Sequence, residues 1–168
     1  MKHLAAYLEI HASNPSYGPG PCPTILKAMA HELRSVTPKA ALDWGCGNSK
    51  ALETLFPKAK RHLYDPAIPG HDTIPRGRYD IGICTDVMEH IPEDEIDDTL
   101  QKQSLVCHDW LYIIDNKVAI QLLPDGSNAH VIQKPAAWWK HRMGCHFDRV
   151  WTWPCDATRF FVRARLSR

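Results

Sequence analysis

The sequence predicts an α/β fold: a mostly parallel sheet with helices on both faces, ending in an antiparallel hairpin. Three observations carry this expectation. First, residues 40–48 read Ala-Ala-Leu-Asp-Trp-Gly-Cys-Gly-Asn, an apolar run ending in an acid and a double-glycine turn, with a helical pattern from Lys50. A buried strand, a tight turn and a helix make the repeating unit of parallel sheets. Second, Ile81, Ile83 and Val87 with small residues between them suit a strand buried on both faces. Third, strand-like stretches over 147–153 and 158–166 are separated only by Pro154-Cys-Asp-Ala157, and strands joined so closely must be antiparallel.

The remaining elements follow in order. Leu4, Tyr7, Leu8 and His11 fall at helical spacing within residues 1–12. Residues 14–23 alternate proline and glycine and exclude regular structure. Thr24 is placed to cap a helix with the inward stripe Ile25, Met29 and Leu33, and Pro38 separates it from the first strand. Ser49 caps a helix carrying Leu52, Leu55 and Phe56, stopped at Pro57. A second strand over 61–64 ends at Asp65, and at most a very short third strand is expected at Thr73-Ile74. After the fourth strand, Ile91-Pro92 starts a helix with Glu93, Asp94 and Glu95 in its first turn, where acids complement the helix dipole. A fifth strand covers 110–115, a long loop 116–133, and a short helix 135–143. The chain divides into residues 1–38, N-terminal helices with a lid candidate, and 39–168, the sheet core, together one domain.

Composition narrows the class. A hydrophobic fraction of 44% and a charged fraction of 23% are ordinary for a globular protein, and a net charge of +1 excludes polyanion binding by bulk charge. No apolar run approaches the ~18 residues of a membrane span, and no signal peptide opens the chain, so a cytoplasmic protein is expected. Six cysteines without a C-x-x-C pair read as reduced structural thiols. Ten histidines form no recognised ligand spacing, so no metal is expected.

The glycine turn points to a nucleotide-like ligand, because open parallel sheets bind beyond the carboxyl ends of their strands. Asp65 lies 18 residues past Gly47, a distance at which an acid commonly holds ribose hydroxyls. A dinucleotide fingerprint would carry a third glycine where Lys50 stands. An acid ahead of the first glycine, Asp43, suits a cofactor bearing positive charge better than one bearing phosphates.

At these residues the chain resembles the class I S-adenosylmethionine-dependent methyltransferases. Leu42-Asp-Trp-Gly-Cys-Gly47 looks like their first motif, Asp65 like their second, and Asp80-Ile-Gly-Ile-Cys-Thr-Asp86-Val-Met-Glu89-His90-Ile91 like their fourth. Small bacteriophage-encoded methyltransferases are similar through Leu123-Pro-Asp-Gly-Ser-Asn-Ala-His130. The resemblance implies a Rossmann-like class I methyltransferase fold and S-adenosylmethionine as cofactor. Gly45, Cys46 and Gly47 would then approach its amino acid part, Asp43 would orient its ammonium, and Asp65 with Pro66 would meet the ribose. Thr85, Asp86 and Val87 would line the floor, and Tyr17 with Gly18 would belong to a segment folding over the cofactor.

The acceptor side is expected to draw on His130 as base, with Asp86 and His90 as further catalytic candidates. A Pro-Cys nucleophile and an Asn/Asp-Pro-Pro-Tyr run, the marks of two DNA methyltransferase groups, are both missing from the fourth strand. The expected acceptor is an oxygen or nitrogen of a small molecule or nucleotide. A nucleic-acid acceptor, met by Arg163, Arg165, Arg168 and Trp151 with Arg142, is the alternative within enzymes. A catalytically inactive cofactor-binding partner protein is the alternative outside them. The assembly is expected to be a monomer or homodimer, with no membrane partner.

Overall fold

The computed structural model describes residues 3–167. The chain runs α1 (Leu4–Ser13), α2 (Pro23–Glu32), β1 (Ala40–Trp44), α3 (Ala51–Leu55), β2 (Lys60–Tyr64), β3 (Ile81–Thr85), α4 (Ile96–Val106), β4 (Asp109–Asp115), α5 (Ala136–Met143), β5 (Arg149–Pro154) and β6 (Arg159–Arg165). Two short 3-10 turns, Met88–His90 and Glu93–Glu95, lie between β3 and α4. The six strands form one sheet in the order β2-β1-β3-β4-β6-β5. The first four are parallel, and β6 runs antiparallel to both β4 and β5. This is the α/β, Rossmann-like architecture, a mostly parallel sheet ending in an antiparallel hairpin.

Strand alternation sorts the core into two layers. Leu42, Cys84, Trp110, Tyr112 and Val162 pack on one face under Ile96 and Leu100 of α4 and Trp139 and Met143 of α5. Ala41, Ile81, Ile83, Leu111 and Phe161 pack on the other under Ile25 and Met29 of α2 and Leu52 of α3. A period of two along each strand and a helical stripe on each covering helix give both faces an apolar contact. A third, small cluster joins Ile10 of α1 to Leu123 and Ala129 of the long loop, with Tyr7 and Tyr17 beside it.

Several local expectations are corrected. No strand forms at Thr73-Ile74: residues 66–79 are turn and coil, with only an isolated bridge from Tyr79 to Cys107. The proline and glycine content of that stretch removes both the donors and the stiffness a strand needs. Helix α2 starts two residues early, at Pro23, because proline is pre-shaped for a first helical position, and no side chain caps it. The helix expected from Ile91-Pro92 begins only at Ile96, since the three acids take up a 3-10 turn first. Ser49 does act at its helix start, its Oγ accepting the Ala51 N–H at 3.0 Å. Among the described residues, no helix is long and apolar enough to cross a membrane.

Three of the arginines expected to meet a nucleic-acid acceptor pair with acids of this chain. Arg163 is buried and donates twice to Asp109, at 2.6 Å each from Nε and Nη2. Arg165 reaches the same carboxylate at 2.9 Å and lies over the Trp151 ring. Arg142 is tied to Asp97 at 2.7 Å. Arg168 lies outside the described residues. A strand flanked by an acid-bearing neighbour spends its guanidinium groups internally, which the sequence alternation alone does not reveal.

Candidate active site

A cavity of about 460 Å³ opens at the carboxyl ends of β1, β2 and β3, roofed by the chain from α1 to α2. Its floor comes from the glycine turn after β1. Gly45 and Gly47 have φ of +75° and +51°, a region that favours glycine. A Cβ on Gly45 would stand 2.5 Å from Val87 Cγ2, and one on Gly47 would stand 2.6 Å from the Gly18 carbonyl oxygen. Backbone therefore comes close where side chains could not.

Asp65 ends the β2 connection and holds this turn. Its Oδ2 accepts the Gly47 N–H and its Oδ1 the Ala67 N–H, both at 2.9 Å. Each carboxylate oxygen keeps a further lone pair, and Asp65, Pro66, Cys46 and Trp44 all line the cavity. Asp43 does not line it. It lies on β1 between Leu63 and Ile83, 1% exposed, and both its oxygens lack a hydrogen-bond partner among the described residues. Burial, with the Asp65 charge adding, pushes its carboxyl up to about 7. Burial also raises the Cys46 thiol, with Asp43 and Asp65 next, so this cysteine is not a thiolate.

The N-terminal segment lies across the turn. The Gly18 carbonyl accepts the Asn48 N–H at 2.7 Å, and Asn48 Nδ2 donates to the carbonyls of Tyr17 and Pro15 at 2.7 and 3.0 Å. Tyr17 lines the cavity, its hydroxyl raised by burial and then by Asp65. Tyr7 of α1 lines it as well.

The end of β3 forms the opposite wall. Thr85, Asp86, Val87 and His90 face the cavity. Asp86 adopts φ of +53°, which costs a non-glycine residue little only when it is Asp or Asn. Its Oδ1 accepts from Arg159 Nε at 3.0 Å, and Arg159 also reaches Asp115 at 3.4 Å. Burial raises the Asp86 carboxyl against the opposing pull of Arg159. Asp86 is thus committed to an ion pair at the wall.

His130 does not line the cavity, because His90 stands in front of it. The two rings meet edge to face with centroids 4.6 Å apart. His130 Nδ1 lies 2.7 Å from the Lys117 carbonyl oxygen. His90 Nδ1 lies 2.9 Å from the Ala129 carbonyl oxygen and 2.8 Å from the Tyr7 hydroxyl. Burial, and then the neighbouring His130, lower His90 to about 4, so its ring is neutral at ordinary pH. The loop residues 123–130 are themselves occupied in shaping the loop. Asn128 pairs with the backbone of Ala119 through both side-chain atoms, and Asp125 accepts from Ser127.

Four residues outside the expected set line or support this site: Tyr7 in the lining, and Asn48, Glu89 and Arg159 behind it. Glu89 is fully buried, with Oε1 accepting the Asp115 N–H at 2.8 Å and Oε2 without a partner among the described residues. A glutamate beside a histidine directly after a buried strand is the signal that could have singled it out. The partners of the other three are 31 to 83 residues away and leave no local pattern.

No protein-family model and no curated protein sequence matches the chain. Solved structures do share its fold. The 1,6-didemethyltoxoflavin-N1-methyltransferase of Burkholderia thailandensis, solved with S-adenosylhomocysteine, aligns at TM-score 0.68 and 12% identity, covering 99% of this chain and 90% of that one. An N-methyltransferase of Bradyrhizobium japonicum, also with S-adenosylhomocysteine, aligns at TM-score 0.67 and 12% identity over 97% of this chain and 99% of that one. A candidate O-methyltransferase of Nostoc punctiforme aligns at TM-score 0.66 and 13% identity over 95% of this chain, which spans 59% of that protein's length. At such identity the likeness shows the fold. Nothing in it bears on the resemblance to phage-encoded enzymes.

Proposed function

We propose that the chain is an S-adenosylmethionine-dependent methyltransferase acting on an oxygen or nitrogen of a small molecule or nucleotide. The observation that carries this reading is a glycine-turn cavity lined by Asp65, with the Asp43 carboxyl buried behind it and without a hydrogen-bond partner among the described residues. A buried carboxylate with no donor is costly unless a cation or proton answers it. An ammonium-bearing nucleoside supplies both the positive charge that Asp43 lacks and the hydroxyls that Asp65 can still accept from. A dinucleotide would bring phosphates toward the same two acids.

When bound, S-adenosylmethionine supplies a methyl group on a sulfonium, ready for in-line displacement. The chain's own residues have the tasks of binding, aligning and excluding water. Gly45 and Gly47 admit the amino acid part, Asp65 holds the ribose, and Tyr17 covers the cavity from the N-terminal side. Thr85 and Val87 stand in the wall opposite the glycine turn, and Asp86, fixed by Arg159, sets the charge on that acceptor side. His90, neutral and cavity-lining, takes the acceptor-facing position expected of His130; lowered to about 4, it can accept a hydrogen bond from the acceptor but is a weak base. The nucleic-acid alternative loses Arg163, which is buried against Asp109.

Thermal shift with S-adenosylmethionine, S-adenosylhomocysteine and NAD tests the cofactor. The first two are expected to stabilise the protein by about 2.7 kcal/mol at a hundredfold excess over Kd, and NAD not at all. Stabilisation by NAD alone overturns the reading. Methyl transfer from labelled S-adenosylmethionine across small-molecule, nucleotide and RNA acceptors then separates an enzyme from an inactive binding partner.

A further inference from the structure

We propose that Glu89, His90 and His130 form a binding site for one divalent transition-metal ion in the wall of the cavity. One ligand-capable atom from each of the three lies within 4.8 Å of the others, the one such grouping among the described residues. The spacing of 1 and 40 residues escapes any sequence ligand pattern, because His130 arrives from the loop after β4.

Proton placement makes the grouping more than a coincidence of distance. The Ala129 carbonyl can only accept, so His90 Nδ1 carries the proton, shared with the Tyr7 hydroxyl oxygen. The Lys117 carbonyl does the same for His130 Nδ1. Both rings are therefore held in the tautomer that leaves Nε2 with its lone pair. Backbone carbonyls that fix Nδ1 in this way are the usual support of imidazole metal ligands. The carboxylate is prepared in the same manner: the Asp115 N–H holds Glu89 Oε1, while the fully buried Oε2 has no donor within reach.

Three groups with ligand-capable atoms thus converge at the wall of the cavity, Glu89 and His130 buried and His90 half-buried. A cation answers all three at once. Two imidazoles and one carboxylate favour a borderline-soft ion such as Zn²⁺ or Co²⁺ over Mg²⁺ or Ca²⁺, which prefer all-oxygen sites. Three protein ligands leave coordination positions open, as catalytic rather than structural sites do. His90 is both a ligand and a cavity-lining residue, so the ion adjoins the space assigned above to the acceptor; that consequence rests on the methyltransferase reading, whereas the site itself does not. With an ion bound, the His90 lone pair serves as a ligand and no longer as a proton acceptor.

The test is titration of the chelator-treated full chain with Co²⁺, followed by its visible absorption, with Zn²⁺ as competitor. One ion per chain is expected. His90→Ala, His130→Ala and Glu89→Gln should each weaken binding at least about tenfold, Glu89→Gln keeping the shape of a buried side chain should an alanine variant misfold. His146→Ala, which alters a separate surface cluster with Asp97, should leave binding unchanged. S-adenosylhomocysteine binding is measured in parallel by thermal shift. Absence of stoichiometric Co²⁺ and Zn²⁺ binding overturns the site even if S-adenosylhomocysteine binds. Binding that survives all three ligand changes, or is lost in His146→Ala, overturns it as well. Metal binding without any S-adenosylhomocysteine shift supports the site and sinks the methyltransferase reading alone.

Discussion

The hydroxyl of Tyr7 lies 2.8 Å from Nδ1 of His90, 83 residues away, and joins the first helix of the chain to the turn after β3. Through this contact the N-terminal roof and the cavity wall at the end of β3 are one structure. Burial raises the Tyr7 hydroxyl, with the Tyr17 and Glu89 charges adding, so it remains protonated throughout the physiological range.

Tyr7→Phe should therefore loosen the roof without unfolding the sheet. Loss of one neutral hydrogen bond is worth about 0.5–1.5 kcal/mol. Hydrogen exchange should quicken over residues 4–20 and remain unchanged in β1, β3 and β4. Affinity for S-adenosylhomocysteine should fall severalfold; equal exchange throughout would show that the contact does not hold the roof.

Asp65→Ala removes two backbone anchors and the ribose acceptor proposed above together. Calorimetric titration should show cofactor affinity weakened by about 1.5–3 kcal/mol per charge-assisted bond lost. Circular dichroism should show the sheet intact. Unchanged affinity in a folded variant would move the ribose contact elsewhere.

Asp43 makes stability depend on pH. Its carboxyl titrates near 7 in the native state against 3.8 for the free group. Between those values the native chain holds a proton that the unfolded chain has released, so stability falls as pH rises from about 4 to about 7 and then levels. Asp43→Asn should remove this slope, gaining more Tm over wild type at pH 8 than at pH 5. If the cofactor ammonium pairs with Asp43, saturating S-adenosylhomocysteine should narrow the difference at pH 8. A difference independent of pH would contradict the assignment.

Gly45→Ala should destabilise the protein, because its Cβ would meet Val87 Cγ2 at 2.5 Å and its φ is +75°. Gly45→Ala with Val87→Ala should recover part of the Tm, relieving the contact but not the backbone strain. Denaturation of the two single variants and the double variant measures this. Simple additivity would mean that the backbone conformation alone sets the cost.

The sheet was legible because its signals are local. Ile81 and Ile83 mark a strand buried on both faces, and the four residues after Trp153 force a hairpin. The glycine turn was legible for the same reason. The cavity's charge arrangement was not, because it depends on which distant groups meet. Asp43, Asp65 and Asp86 could be picked out as acids at strand ends. That Asp65 spends two oxygens on backbone, that Asp86 is bound to Arg159, and that Asp43 has no partner among the described residues follow only from the pairing of strands. His130 illustrates the limit best: it packs edge to face on His90 at the cavity wall, and a loop of this length does not reveal which ring stands in front. Arg163 shows the converse, since alternation assigns a side but not the acid waiting there.

The missing third strand has a consequence for how the molecule meets others of its kind. With residues 66–79 in coil, β2 is left as one margin of the sheet and β5 as the other. Unpaired margins invite further strands to join by backbone pairing. Both are guarded. β2 begins with exposed Lys60 and Arg61 and is five residues long. β5 carries exposed Arg149 at one end and Pro154, which has no N–H to offer, at the other. Short length, like charges and a proline resist end-to-end extension of the sheet from one molecule into the next. The composition of the two rims thus opposes pairing of this sheet with that of a second molecule.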